Sequence, residues 1–240
     1  MLKAIGWLGI MHVFAIIIWM IVNIVFSMQH PLSYQEGKSL AELGISYYSN
    51  FPGYVGFDHG SKALVMLISI ALPIGLFRYL QKLHQFNLNN AIALVAGCLG
   101  FAFYGFSLMV QATTVEYAFK LFGSSNDAYA QSFATLLYEW AMLEGGLSVS
   151  IYIIANILLA VWVIIHSAGL DRMGATKNFA LFGSIVGSLM IVGYLVSWVF
   201  LMQGKQNMHE INEAVGILFL VWILIISLKM IKGKVSIQTN

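Results

Sequence analysis

Apolar residues gather into six runs along the chain, at residues 4–27, 63–80, 91–112, 145–167, 178–202 and 214–230, with polar stretches between them. An α-helix rises 1.5 Å per residue, so about 20 residues cross a hydrocarbon core about 30 Å thick. Within lipid the backbone must satisfy its own hydrogen bonds, and such runs therefore predict transmembrane helices. The second and sixth runs are short at their charged boundaries, but Lys62, Arg78 and Lys229 have stems long enough to reach the interface. Pro73 predicts a kink in the second span, because its ring removes a backbone donor and crowds the preceding turn. The first run follows Lys3, yet it is roughly twice as long as a signal-peptide core of about 7–15 residues and lacks a small-x-small exit. It predicts a retained helix.

Two connecting segments are long, residues 28–62 and 113–144. The second holds "SSNDAYAQSFATLLYEWAMLE", in which Ser125 or Asn126 is placed to cap a helix. Tyr129, Phe133, Leu136, Leu137 and Trp140 then recur at helical spacing, which predicts an amphipathic helix lying at the membrane interface. It turns at Gly145-Gly146 into the fourth span. The first segment contains "SLAELG", a short predicted helix, and an aromatic, glycine-rich approach to the second span. The expected fold is an all-α bundle of six transmembrane helices with a partly helical cap, built as one integral membrane domain over residues 1–240.

Composition agrees with this reading. Sixty per cent of residues are apolar and 9% charged, and the mean hydropathy is +0.83, whereas a soluble domain carries about a quarter charged residues. The net charge of +2 comes with no basic cluster interleaved with aromatics, so nucleic acid is not an expected partner. The single cysteine, Cys98, sits in an apolar run and reads as a small buried hydrophobe. Charge also sets direction. Six spans put both termini and the second and fourth loops on one side, which holds eight of the 12 basic residues. The positive-inside rule makes that side cytoplasmic. Of the ten acidic residues only Asp171 falls there, leaving an acidic outer face that includes Glu139 and Glu144.

Two segments carry a family resemblance. In "LFRYLQKLHQFNLNNAIALVAGCLGFAFYG" a span ends in Leu-x-Arg-x-Leu and a short loop leads into a glycine-rich span. In "LEGGLSVSIYIIANILLAVWVIIHSAGLDRMGATKNFALFGSIVGSLMIVGYL" a Gly-Gly corner precedes a span containing Trp162 and then a span rich in small residues. With these features the chain resembles a bacterial multi-pass membrane family catalogued as domain of unknown function 4386. The resemblance implies the fold and a place in the bacterial cytoplasmic (inner) membrane. It supplies no chemistry.

Chemistry must come from the polar residues. His12 and Asn156 both fall near the midplane of their spans, where an unpaired polar group is costly, so both are expected to face the bundle interior. Asn23 and His166 are the other polar residues of interest inside the runs. One reading is a polar patch that binds a small ligand or relays protons, the other plain interhelical hydrogen bonding, with His12 and Asn156 as the natural pair. A haem held by two histidines needs them at similar depth, and His166 lies near the cytoplasmic edge. No cofactor is expected.

At the outer rim stand Asp58, His59, Glu139, Glu144, His209, Glu210 and Glu213. His209 and Glu213 are spaced i, i+4, which suits one helix face and a divalent metal if the helix starts early enough. Asp58 and His59, as neighbours, are expected on different sides of a helix. Glu144 is expected to face the vestibule and meet Lys62, His59 or His209. Gly183 and Gly187, with Ser184 and Ser188, give the fifth span small faces for close helix contact, within the bundle or between protomers of an oligomer. No nucleophile constellation or nucleotide motif is present, which leans away from an enzyme and leaves a membrane-embedded hydrolase or oxidoreductase as a third reading behind two others. Two classes follow. One binds or transports a small molecule or cation through an outward-facing vestibule lined by His12, Asn156, Glu144, His59, His209 and Glu213. The other is an accessory or sensor subunit acting through helix–helix contact.

Overall fold

The computed structural model of the chain describes residues 2–33, 36–83, 88–124, 127–143, 146–172, 177–203 and 209–232. Among the described residues there are nine helices and no strand. Six helical segments are long and apolar enough to cross a bilayer. The spans are α1 (Leu2–Gln29), the pair α3 (Tyr54–Ile68) and α4 (Ala71–Leu83), α5 (Leu88–Ser124), α7 (Leu147–Arg172), α8 (Lys177–Met202) and α9 (His209–Lys232). The remaining two, α2 (Leu40–Tyr48) and α6 (Ala128–Met142), build the cap.

The spans close into a ring. Helix α1 packs on α3 and α4, these on α5, α5 on α7, α7 on α8, α8 on α9, and α9 returns to α1. The start of α1 touches the end of α9, so both ends of the chain lead into one end of the bundle, here called the proximal end. Close approach there depends on missing side chains. A Cβ on Gly6 would lie 2.7 Å from the Ser227 carbonyl oxygen, and one on Gly9 would lie 2.0 Å from the Ser227 hydroxyl. Gly183 is packed against Ser167 and Trp222, and Gly187 against Ile164 and the Ala160 carbonyl. The Gly183–Gly187 face of the fifth span is thus filled inside the chain by α7 and α9, the first of its two expected uses, and is not open to a contact between protomers.

Three boundaries also differ from expectation. Pro73 does more than kink the second span. It splits it, because the residue whose amide would have bonded the Ser69 carbonyl has no N–H. That carbonyl instead accepts from Leu72 N at 2.9 Å across a tight turn. Helix α5 runs to Ser124, three turns beyond the expected end at 112. At 37 residues it is about 55 Å long, so it stands well clear of a core about 30 Å thick. The cap of α6 is Asp127, whose carboxylate accepts from Tyr129 N at 3.0 Å, in place of Ser125 or Asn126.

The cap folds onto the protruding part of α5. Ala134, Tyr138 and Ala141 of α6 are buried with Val115, Ala118 and Phe119 of α5. The stripe Tyr129, Phe133, Leu136 and Trp140 is exposed on the far face, as suits a helix at the lipid interface. Helix α2 opens with a capping box, Glu42 N donating to Ser39 Oγ and Ser39 N to Glu42 Oε2 at 2.7 Å. The Ser39 N–H, with the hydroxyl behind it, holds the Glu42 carboxyl below its ordinary value. Glu116 on α5 accepts from Gly53 N and Gly56 N, at 3.1 and 2.8 Å, and so satisfies the open amides at the start of α3.

Between α6 and α7 the corner is set by backbone. Ser148 Oγ donates to Ala141 O and Ser107 Oγ to Ser148 O, both at 2.7 Å. A Cβ on Gly146 would fall 1.8 Å from the Trp140 carbonyl oxygen. Gly146→Ala is therefore expected to destabilise the bundle by about 1–3 kcal/mol through forced backbone displacement. Gly123→Ala, at a position with nothing within 4 Å, should be neutral or slightly stabilising. Unfolding of the two variants in mixed micelles checks this, and equal stabilities would count against the corner geometry.

Candidate functional site

The ring does not close evenly along its length. The proximal half is solid, with Phe101, Trp162, Trp222 and Phe219 in edge-on contact around Trp162 at centroid distances of 5.5, 5.2 and 6.4 Å. The half away from the termini, the distal half, encloses a cavity of about 540 Å³ to which all six spans contribute. That volume lies within the range of about 300–1,000 Å³ of ligand pockets.

His12 and Asn156, separated in the sequence by 144 positions, both line the cavity and are buried. They do not pair with each other. His12 Nδ1 lies 2.7 Å from Ser69 Oγ, and Asn156 Nδ2 donates to the Tyr152 carbonyl one turn back at 2.8 Å. The helix break before Pro73 is what delivers Ser69 to His12. Ser69 has one hydroxyl proton, and at 2.6 Å from the Val65 carbonyl it donates there. The imidazole must then donate from Nδ1 to the serine oxygen, which leaves Nε2 as a lone-pair acceptor. Nε2 has no hydrogen-bond partner. Phe101, part of the aromatic plug, meets the imidazole edge-on at 5.8 Å.

Three tyrosines on three helices supply further polarity. Tyr104, Tyr152 and Tyr194 all line the cavity. The Tyr152 and Tyr194 hydroxyls are 3.2 Å apart, and Tyr104 packs edge-on to Tyr152 at 4.9 Å. Sequence reasoning passed over them because tyrosine in a membrane helix is normally an interface residue. Their placement toward the middle of long apolar runs is the signal that was available. Four methionines, Met20, Met66, Met142 and Met190, fill the walls with side chains that adapt to irregular shapes.

At the distal mouth stand His59, Lys62, Gln111 and Asn23. Asp58 and His59, expected on different sides of the helix, are in contact. His59 Nδ1 lies 3.2 Å from Asp58 Oδ2, and Lys62 Nζ reaches both carboxylate oxygens at 2.7 and 2.8 Å. Two of the three residues expected to meet Glu144, His59 and Lys62, are thus engaged by Asp58. Glu144 itself lies outside the described residues. Helix α9 begins at His209, so His209 and Glu213 stand one turn apart on it, while their side chains lie outside the described set. Among the described residues no group of three or more histidine, cysteine or acidic side chains is placed to hold a metal. His166 is buried in the proximal half, its Nδ1 3.1 Å from the Trp162 carbonyl. It takes no part in the cavity lining.

The chain is thus a polytopic helical bundle enclosing a cavity whose polar groups are mostly uncharged. No family model matches it, and no curated protein or solved structure is similar enough to count as a match.

Asp58 has a 5% exposed side chain and Lys62 a 19% exposed one. Asp58→Leu is expected to cost about 2–4 kcal/mol, less than a fully buried pair because Lys62 retains some water. The double variant Asp58→Leu/Lys62→Met should regain most of that loss. A double-mutant cycle in mixed micelles measures the coupling, expected at about 1 kcal/mol or more. Simple additivity of the two single changes would contradict the pairing.

Proposed function

We propose that the protein binds a small molecule in the distal cavity and serves as a membrane binding or transport module for it. The observation that carries this reading is the cavity of about 540 Å³ lined by all six spans. Several buried polar atoms among the described residues have no partner, and His12 Nε2 is the one that belongs to a cavity-lining residue, so a ligand's donor can offset its desolvation cost there.

The lining narrows the ligand. Among the described residues no carboxylate lines the cavity, and the lysine at its mouth is neutralised by Asp58. Hydrogen-bonding groups are imidazole, amide and phenol, set among methionine, aliphatic and aromatic walls. This favours an uncharged organic molecule over a metal or other cation. The charge asymmetry of the loops supports a mouth facing away from the cytoplasm, and the family resemblance supports a place in the inner membrane of a bacterium.

Thiol labelling tests the reading. In a Cys98→Ser background, Ser197→Cys and Leu108→Cys place thiols on the cavity wall, while Ile154→Cys and Leu189→Cys place them on exposed outer faces. A membrane-impermeant cationic methanethiosulfonate, added on the side opposite the termini, should modify the cavity pair many times faster than the outer pair. Equal, slow modification at all four positions would mean that no water-accessible vestibule exists.

A further inference from the structure

Helix α1 is held to its neighbours differently at its two ends. In its proximal half Ile5, Gly6, Gly9, His12 and Val13 are buried, and none of its residues beyond Val13 is. The proximal half lies against α9 through Gly6 and Gly9 on Ser227 and Ile231. The distal half is tied to α3 instead. Trp19 meets Phe57 edge-on at 5.3 Å, Phe26 stacks on Tyr54 at 3.8 Å, and the Tyr54 hydroxyl donates to Asn23 Oδ1 at 2.7 Å. Helix α1 is thus pinned to α9 by backbone approach in its proximal half and held by side chains of α3 in its distal half.

The cavity lining records the consequence. On α5, α7 and α8 the wall residues Leu108, Ile153 and Met190 are buried. On α1 and α9 the wall residues Met20, Ile24 and Ile217 are 38, 58 and 47% exposed. A Cβ added to Gly216, also on the wall, would meet nothing within 4 Å. Met20 lies nine residues from the end of α1 and Ile217 eight from the start of α9, about 14 and 12 Å along their helices. An opening at that depth faces lipid acyl chains, since the hydrocarbon core is about 30 Å thick.

We infer that the gap between α1 and α9 is a lateral portal, and that the ligand is a bilayer-dissolved amphipath with an uncharged, proton-donating head and an apolar chain. This rests on the cavity being a ligand site. The head, a hydroxyl or its equivalent, passes between Met20 and Ile217 and donates to His12 Nε2. Asn156 Oδ1, which accepts no hydrogen bond among the described residues, is a second acceptor, on α7 across the cavity from α1. The chain of the ligand stays in the portal, among the exposed apolar side chains of α1 and α9. A charged head finds no free counter-charge among the described wall residues and is disfavoured.

The probe is a long-chain primary alcohol carrying a diazirine beside its hydroxyl, dissolved in phosphatidylcholine proteoliposomes holding the full chain. After photolysis and peptide mass spectrometry, adducts are expected on the α7 and α8 segments containing Tyr152 and Tyr194, as well as on outer residues such as Leu181 and Ile185. Gly216→Leu fills the gap from the α9 side, at a position where an added Cβ meets nothing within 4 Å, and Met20→Trp fills it from α1. Each should lower the cavity adducts several-fold and leave the outer adducts unchanged. Adducts confined to the outer residues, or cavity adducts that neither variant lowers, would overturn the portal. Fast reaction of Ser197→Cys with the water-soluble thiol reagent would then leave the cavity reading standing, so the two failures are separable.

Discussion

The close approach of α1 to α9 and of α8 to α7 at the proximal end sets the rest of the structure. Gly6 and Gly9 bring one backbone against Ser227, and Gly183 and Gly187 bring another against Ser167 and Ala160. In lipid, helices gain nothing from excluding apolar surface from one another, so backbone approach through small residues is a main source of association. Rigid helices pinned together at one end diverge toward the other unless bulky side chains fill the gap. Here Trp162, Trp222, Phe101 and Phe219 fill the space next to the pins, and among the described residues the α1 and α9 wall of the distal half carries Met20, Ile24, Gly216 and Ile217 instead. The cavity follows from where the glycines are.

Polar groups inside the ring are then arranged by backbone events. Pro73 breaks the second span, the break turns Ser69 inward, and Ser69 fixes the His12 tautomer so that a basic nitrogen is left without a partner. Asn156 meets its own helix at Tyr152 and retains its carbonyl oxygen. An acceptor left open in low dielectric is a cost to stability, and at His12, on the cavity wall, a ligand's donor would remove it. The unfilled acceptors and the adaptable methionine walls point the same way.

Much of the architecture was legible in the sequence. Six spans follow from runs of about 20 apolar residues, and Gly146 follows from its place at a corner between two helices. The inward placement of His12 and Asn156 followed from the cost of polar groups in lipid. Other features were hidden for physical reasons. Residues 113–124 mix Thr113, Thr114, Glu116 and Lys120 with apolar positions, and only packing against α2 and α6 shows that α5 continues through them. The pairing of His12 with Ser69 instead of Asn156 depends on a helix break whose geometry a proline alone does not fix. Asp58, His59 and Lys62 come together because long side chains on one turn converge on a carboxylate, which a strict helical-wheel reading separates. The tyrosine trio needs three helices in register, information no local pattern contains.

The central claim is that the six spans enclose a distal cavity with His12 Nε2 unpaired at its inner end. An experimental structure in lipid nanodiscs tests it most directly. The account predicts non-protein density, solvent or a bound molecule, within hydrogen-bond distance of His12 Nε2, with α1 held to α3 through Tyr54 and Asn23. A bundle in which α1 packs along the whole length of α9 and side chains fill the space between His12 and Asn156 would contradict it.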